Sequence, residues 1–178
     1  MEKYLESMAL RRHSLASGAV MEALALRLGK PAEEVERWSI LGIVHDLDYG
    51  ETEATPELHG LKSVELLAGQ GFTEEELNAV KRHNAEALGL ERETELDFAL
   101  TCGEVVTGMI AAASMVQPDK KIASVKPSSV AKKMKDKAFA RSVNRDHIRL
   151  CEKIGLPLAD FIALAVEAMT AQEAQSEN

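Results

Sequence analysis

The sequence predicts an all-α protein, a single helical bundle of about seven to eight helices. Three observations carry that expectation. Apolar residues recur at intervals of three and four along most of the chain. Glycine and proline are sparse, 11 and 5 of 178 residues. Aromatic residues make up only 4% against 46% hydrophobic overall, so Ala, Leu, Val and Met must fill the core, a composition that suits helices better than sheet. A chain of this length can bury one substantial core. Residues 1–178 therefore read as one domain, with a helical core over about 10–116, C-terminal helices over about 127–172, and a polar tail over about 173–178 expected to be disordered.

The first helix is expected from about residue 3 to Leu28, ended by Gly29-Lys30-Pro31. A second starts near Pro31 with Glu33 and Glu34 in its first turn, where the helix dipole favours acids. Val35, Trp38, Leu41 and Val44 form its buried stripe, and His45 and Asp46 lie at its end. Residues 47–55, LDYGETEAT, read as a loop, and Pro56 as the opening of a helix carrying Leu58, Leu61, Val64 and Leu67. Thr73-Glu74-Glu75-Glu76 matches a capping box before a helix running to His83. Thr94-Glu95-Leu96-Asp97 resembles another before a long apolar helix through Met115. Three more helical segments are expected at about 128–138, 145–154 and 157–172, with breaks near Ala140 and at Gly155-Leu156-Pro157.

The net charge of −8 is unevenly spread. Residues 119–146 hold nine Lys or Arg against three Asp, a surplus of +6, which leaves −14 on the rest. Such a segment is most often a solvated face, and its functional reading is attraction of a phosphorylated ligand. The negative overall field disfavours general nucleic-acid binding. The opening residues, MEKYLESMALRRHS, lack the apolar run of a secretory signal, and nowhere do about 18 uncharged apolar residues follow one another. A cytoplasmic protein with no membrane partner is expected. Cys102 and Cys151 have no CxxC partner and read as buried, reduced thiols.

A His-Asp dipeptide is weak by itself, since five His and seven Asp in a chain of this length give about 0.2 such pairs by chance. Its setting adds weight. His45-Asp46 ends an apolar helix, while His13, His59 and His83 fall on separate helical segments and Glu104 lies in an otherwise apolar one. A carboxylate buried near Trp38 and Leu41 would be costly without a compensating cation. Neutral imidazoles and carboxylates suit divalent iron, manganese, zinc or nickel, with magnesium also compatible. The absence of nearby thiols argues against a structural zinc site. Adjacent helical residues project about 100° apart, so His45 and Asp46 can share an ion only if Asp46 reaches sideways or bridges two ions.

These residues resemble the HD superfamily of metal-dependent hydrolases, whose pattern is a first His, the His-Asp pair and a later acid on a helix. His13, His45, Asp46 and Glu104 occupy those positions. The dinuclear branch inserts two further His, matched by His59 in PELHG and His83 in VKRHN. The segments ILGIVHDLDYG, VVTGMIAAASMVQP and KPSSVAKKMKDKAFARSVNRDHI look like a bacterial and archaeal family of HD hydrolases, and the likeness covers roughly residues 10–170. One departure is plain: the family's last acid is usually Asp, and Glu104, one methylene longer, stands there.

The resemblance implies metal-dependent hydrolysis but does not bring the substrate; the expectation is a phosphohydrolase whose one or two divalent ions activate water against the phosphate ester of a nucleotide or another small phosphorylated metabolite. Asp46 would bridge the ions. Asp48 would orient the attacking water, or else only cap the following turn. Lys126, Lys132 and Lys133 are the expected phosphate contacts. Two alternatives stay open: a mixed-valence di-iron oxygenase with the same ligands, and a non-catalytic metal-binding regulatory module. His147 reads as a residue outside the cluster, and oligomeric state is left open.

Overall fold

The computed structural model describes residues 7–176, and all regular structure among them is helical. Ten α-helical segments occur there, three of them single turns of four residues, which leaves seven longer helices. The first helix, α1 (Met8–Arg27), starts where the Ser7 hydroxyl accepts from the Ala9 N–H. Residues 3–6 of the expected first turn lie outside the described residues. Gly29 (φ 71°) turns the chain, and α2 (Ala32–Val44) runs back along α1.

α1 and α2 approach until their backbones touch. A Cβ on Gly42 would stand 2.7 Å from the Ser17 carbonyl oxygen, and one on Gly18 would stand 2.6 Å from Ile43 Cγ1. Glycine weakens a helix interior by about 1 kcal/mol relative to alanine, yet here it alone permits the contact. That crossing brings the second turn of α1, with His13, alongside the end of α2, with His45.

The expected loop after α2 contains a single helical turn, α3 (Tyr49–Thr52). The helix expected from Pro56 is interrupted. Residues Pro56–Leu58 form a 3-10 turn, Gly60 adopts φ 88°, and α4 spans Leu61–Leu67. His59 therefore sits in a bend rather than on a helix, and Leu58 is exposed instead of packed. The close approach of Gly60 to α5 explains the bend, because a Cβ there would lie 3.1 Å from the Val80 carbonyl oxygen.

Both capping boxes form as expected: Thr73 with Glu76 opens α5 (Glu74–Arg82), and Thr94 with Asp97 opens α7 (Glu95–Met115). The single turn α6 (Ala85–Leu88) lies between them. α7 is long and apolar enough to cross a membrane, but 61% of its most apolar stretch is buried inside the bundle. It is the central helix, touching α1, α2, α5 and the C-terminal elements. Leu100, Val106, Met109 and Ile110 on α7 pack with Met21, Leu24, Phe161 and Ile162 in one core. Cys102 and Cys151 are buried and unpaired, and burial raises both thiol pKa values, that of Cys151 to about 12.

Beyond α7 come a 3-10 turn at Ile122–Ser124, α8 (Pro127–Lys133) and an irregular stretch with Ala140 at φ 43°. The Arg145 guanidinium donates to the carbonyls of Asp136, Phe139, Ala140 and Val143 and so gives that stretch its shape. α9 (Arg145–Ile148) continues as 3-10 helix to Ile154, and Gly155 (φ 78°) reverses the chain into α10 (Leu158–Ser176). α10 runs through residues 173–176, which were expected to belong to a disordered tail, while 177–178 lie outside the described residues. α10 packs on α1, α7 and α8.

Candidate metal centre

The ends of two helices aim two of the histidines. The last carbonyls of a helix lack intrahelical partners, and at α2 and α5 the next residue's imidazole supplies one. His45 Nδ1 donates to the Gly42 carbonyl at 2.8 Å, and His83 Nδ1 donates to the Val80 carbonyl. His13 reaches across the bundle, donating from Nδ1 to Thr107 Oγ1 at 2.9 Å, while Thr107 spends its own proton on the Glu104 carbonyl at 2.7 Å. His59 donates from Nδ1 to Asp48 Oδ1 at 2.9 Å. All four imidazoles thus engage the protein through Nδ1 and turn Nε2 inward, the orientation that a metal ligand needs.

The inward nitrogens surround Asp46. Its Oδ1 lies 3.3 Å from His45 Nε2, 3.2 Å from His59 Nε2 and 3.4 Å from His83 Nε2, and its Oδ2 lies 3.5 Å from His13 Nε2. Two sets result, His13/His45/Asp46 and Asp46/His59/His83, each with ligand atoms mutually within 4.8 Å. Asp46 belongs to both. α2 stops at Val44 and His45 keeps helical dihedrals, and the Asp46 side chain reaches both sets, with Oδ1 toward His45, His59 and His83 and Oδ2 toward His13.

Two features test whether an ion fits. His45 Nε2 is buried without a hydrogen-bond partner, a state that costs on the order of 1–3 kcal/mol when nothing else satisfies the atom. His59 and His83 bring their Nε2 atoms to 2.9 Å, close to the spacing of about 3 Å that two imidazoles take at right angles around an ion with bonds of roughly 2.0–2.1 Å. Nitrogen and oxygen donors of this kind suit borderline divalent ions. The residues present fit a metal.

Charge in the cluster is tightly coupled. Burial opposes the ionisation of Asp46, yet the field of His45 and hydrogen bonds from His13, His59 and His83 hold it well below the ordinary carboxylate range. Burial pushes His45 down to about 3. His59 is pushed up to about 9, because Asp46 and Asp48 outweigh its burial, and His13 is raised in the same way by Asp46 and Glu104. The same contacts favour the protonated forms of His59 and His13 beside Asp46.

Glu104 stands at the edge. Its Oε2 is 3.9 Å from His13 Nε2, it belongs to neither tight set, and burial pushes its carboxyl up to about 7. Asp48 departs from the role expected of it. Its side chain is fully buried, with Oδ1 on His59 and Oδ2 accepting from the N–H groups of Gly60 and Ser63 at 2.8 and 3.0 Å. It orients His59 and ties the loop to α4, and it neither faces solvent nor caps the following turn. The cluster opens to solvent along His13, Glu104 and His59, at 24%, 16% and 14% side-chain exposure, whereas His45 is closed off.

No hydrogen bond or ion pair among the described residues joins Lys126, Lys132 or Lys133 to the cluster. Lys126 and Lys132 are exposed, and the Lys133 ammonium lies 3.7 Å from the centre of the Phe139 ring. The irregular stretch of the same basic segment does approach α7, where a Cβ on Gly108 would meet Val143 Cγ2 at 3.3 Å, one turn beyond Glu104. Sequence reasoning passed over Tyr49, whose ring stands edge-on to His59 at 5.4 Å. The signal was its position, three residues past Asp46. It also passed over Arg92, which donates to the His83 carbonyl at 2.8 Å, and nothing in the sequence marked that contact. His147 does lie outside the cluster, with Nε2 on Glu86.

An all-helical bundle that gathers four imidazoles around one buried carboxylate is a domain able to hold a metal ion. The HD-domain family model matches residues 10–114, and the chain belongs to that family, part of the HD superfamily of metal-dependent hydrolases. The match runs from the first turn of α1 to the last turn of α7, includes all six candidate ligands and leaves the C-terminal elements outside it. Neither the curated proteins nor the solved structures hold a significant match to the chain.

Proposed function

We propose that this protein is a cytoplasmic metal-dependent phosphohydrolase that cleaves the phosphate ester of a nucleotide or another small phosphorylated metabolite. The observation that carries the reading is Asp46, a buried carboxylate shared by two imidazole sets whose outer nitrogens are all committed to the protein. His13, His45 and Asp46 would hold one ion, with Glu104 closing that set by a modest side-chain shift. Asp46, His59 and His83 would hold a second. Bound divalent ions at such a site supply an activated water and neutralise phosphate charge.

The protein's own groups do the rest. Asp48 keeps His59 oriented with Nε2 facing inward. The open His13/Glu104/His59 edge admits the substrate, and Tyr49 flanks it beside His59. The surplus positive charge of residues 119–146, with Lys126 and Lys132 exposed upon it, favours approach of a phosphorylated anion while the acidic remainder disfavours polyanions such as nucleic acid.

Phosphate release across a panel of nucleotides and phosphomonoesters, with manganese, iron, zinc, nickel and magnesium in turn, tests the reading. Metal-dependent release that is lost in His45→Ala and Asp46→Ala supports it. Absence of release with every ion overturns it. A mixed-valence iron signal in electron paramagnetic resonance with oxygen uptake would instead assign oxygenase chemistry to the same ligands.

A further inference from the structure

We propose that Arg92 is the positioning residue for the His59/His83 half of the centre: by gripping the C-terminal end of α5 it sets where His83 Nε2 lies. The inference rests on the two-ion reading above. α5 stops at Arg82, and the carbonyls of its last turn need partners from elsewhere. The His83 ring takes one of them, Val80, and Arg92 takes the carbonyl of His83 itself, at 2.8 Å through Nη2. Both bonds constrain the same residue. One fixes the ring against its own helix, and the other fixes the backbone that carries the ring.

Arg92 is itself held on three sides. Its side chain is only 8% exposed, and Nε donates to Thr101 Oγ1 on α7 at 2.7 Å. The Thr101 hydroxyl donates to the Asp97 carbonyl, leaving a lone pair for Arg92. Glu86 on α6 accepts from Nη1 at 2.7 Å and from Nη2 at 3.0 Å, which compensates the enclosed charge. One planar fork thus pins the α5–α6 corner to the central helix. A lysine ammonium, a single point without a plane, cannot reach all of these acceptors.

Glu86 extends the grip. It also accepts from His147 Nε2 on α9 at 2.9 Å, so an element outside the family match closes over the corner that carries His83. Among the described residues this network reaches the end of α2 through His83, whose Nε2 lies 3.4 Å from Asp46 Oδ1 and whose ring stands edge-on to that of His45, while its other hydrogen bonds join α5, α6, α7 and α9. Those bonds hold His83 and neither His13 nor His45, so the His13/His45 set should be indifferent to them. A merely structural Arg92 would act on both sets alike, through global stability.

Cobalt(II) titration of the metal-free protein, followed by calorimetry and by the visible ligand-field bands, separates the two sets. Wild type should take up two ions. In Arg92→Gln the first ion should bind with unchanged affinity, while the second weakens by roughly 10–100-fold, the usual effect of removing an outer hydrogen-bond partner, and its bands shift. Arg92→Lys, which keeps the charge and so protects folding, should fail to restore the second site. Equal losses at both sites, or two unaltered sites in either variant, would overturn the role of Arg92 alone. A wild-type protein that binds one ion or none would overturn the two-ion reading together with it.

Discussion

Asp48 Oδ1 accepts the Nδ1 proton of His59 at 2.9 Å, while its other oxygen accepts the N–H groups of Gly60 and Ser63. One buried carboxylate therefore both aims an imidazole and closes the loop that delivers it. Asp48→Asn places an amide N–H₂ where an acceptor is needed on at least one side. Metal affinity at the His59/His83 set should fall by roughly 10–100-fold and that at the His13/His45 set should not. Site-resolved titration with cobalt(II) checks this, and equal weakening of both sets would contradict it.

Sharing of Asp46 makes a stoichiometric prediction. His13→Ala should leave one ion on Asp46/His59/His83, and His83→Ala should leave one on His13/His45/Asp46. Asp46→Ala should lose both, although it removes only one ligand. Metal analysis of protein purified without chelator reads these counts. Retention of an ion by Asp46→Ala would contradict the shared role.

Metal uptake should release protons at neutral pH. With His59 pushed up to about 9, its metal-free form carries a proton at pH 7.5 that an ion must displace, whereas His45, at about 3, has none to give. Calorimetry in two buffers of different ionisation enthalpy measures the number released. A heat independent of buffer would contradict a protonated His59.

The metal-free protein should lose stability as pH rises from about 6.5 to about 9. His59 is raised above its ordinary 6.5, so its contribution is complete below 6.5 and vanishes as pH passes 9. Glu104, raised from 4.5 to about 7, acts in the same direction at lower pH, because ionising it in place is costly. His45 and Asp46 are depressed, so their contributions are lost as pH falls below the ordinary histidine and carboxylate values respectively. Thermal unfolding across this range, with and without metal, tests the signs. Bound metal should remove the alkaline loss.

Gly42→Ala forces α1 and α2 apart, since the added methyl would meet the Ser17 carbonyl at 2.7 Å. Overpacking of this kind costs about 1–3 kcal/mol, more than the gain in helix propensity. It should also weaken the His13/His45 set, which spans the two helices. Denaturant unfolding and metal titration of the variant measure both effects.

Much of this was legible in the residues. Thr73 and Thr94 announce the starts of α5 and α7 because a capping box is a local hydrogen-bond pattern, complete within four residues. Gly29 and Gly155 announce reversals because only a positive φ continues the chain there. The ligand set could be proposed from spacing and family likeness, since His13, His45, Asp46, His59 and His83 stand in the order of the pattern that the chain resembles. The same local logic failed at Gly60, where contact with Val80, twenty residues away, breaks the helix expected from Pro56. It failed again at the C-terminus, where α10 continues to Ser176 despite a polar sequence and Glu173 accepts from the distant Ile122 N–H.

What the sequence determined by itself is therefore the helical class, most helix boundaries and the chemical inventory of the site. Only the tertiary structure decided who holds whom. His13 is oriented by Thr107 across 94 residues, His59 by Asp48 and His83 by Arg92, while Glu104 stands back at 3.9 Å. Such pairings are set by how the helices pack, and no periodicity along the chain records them.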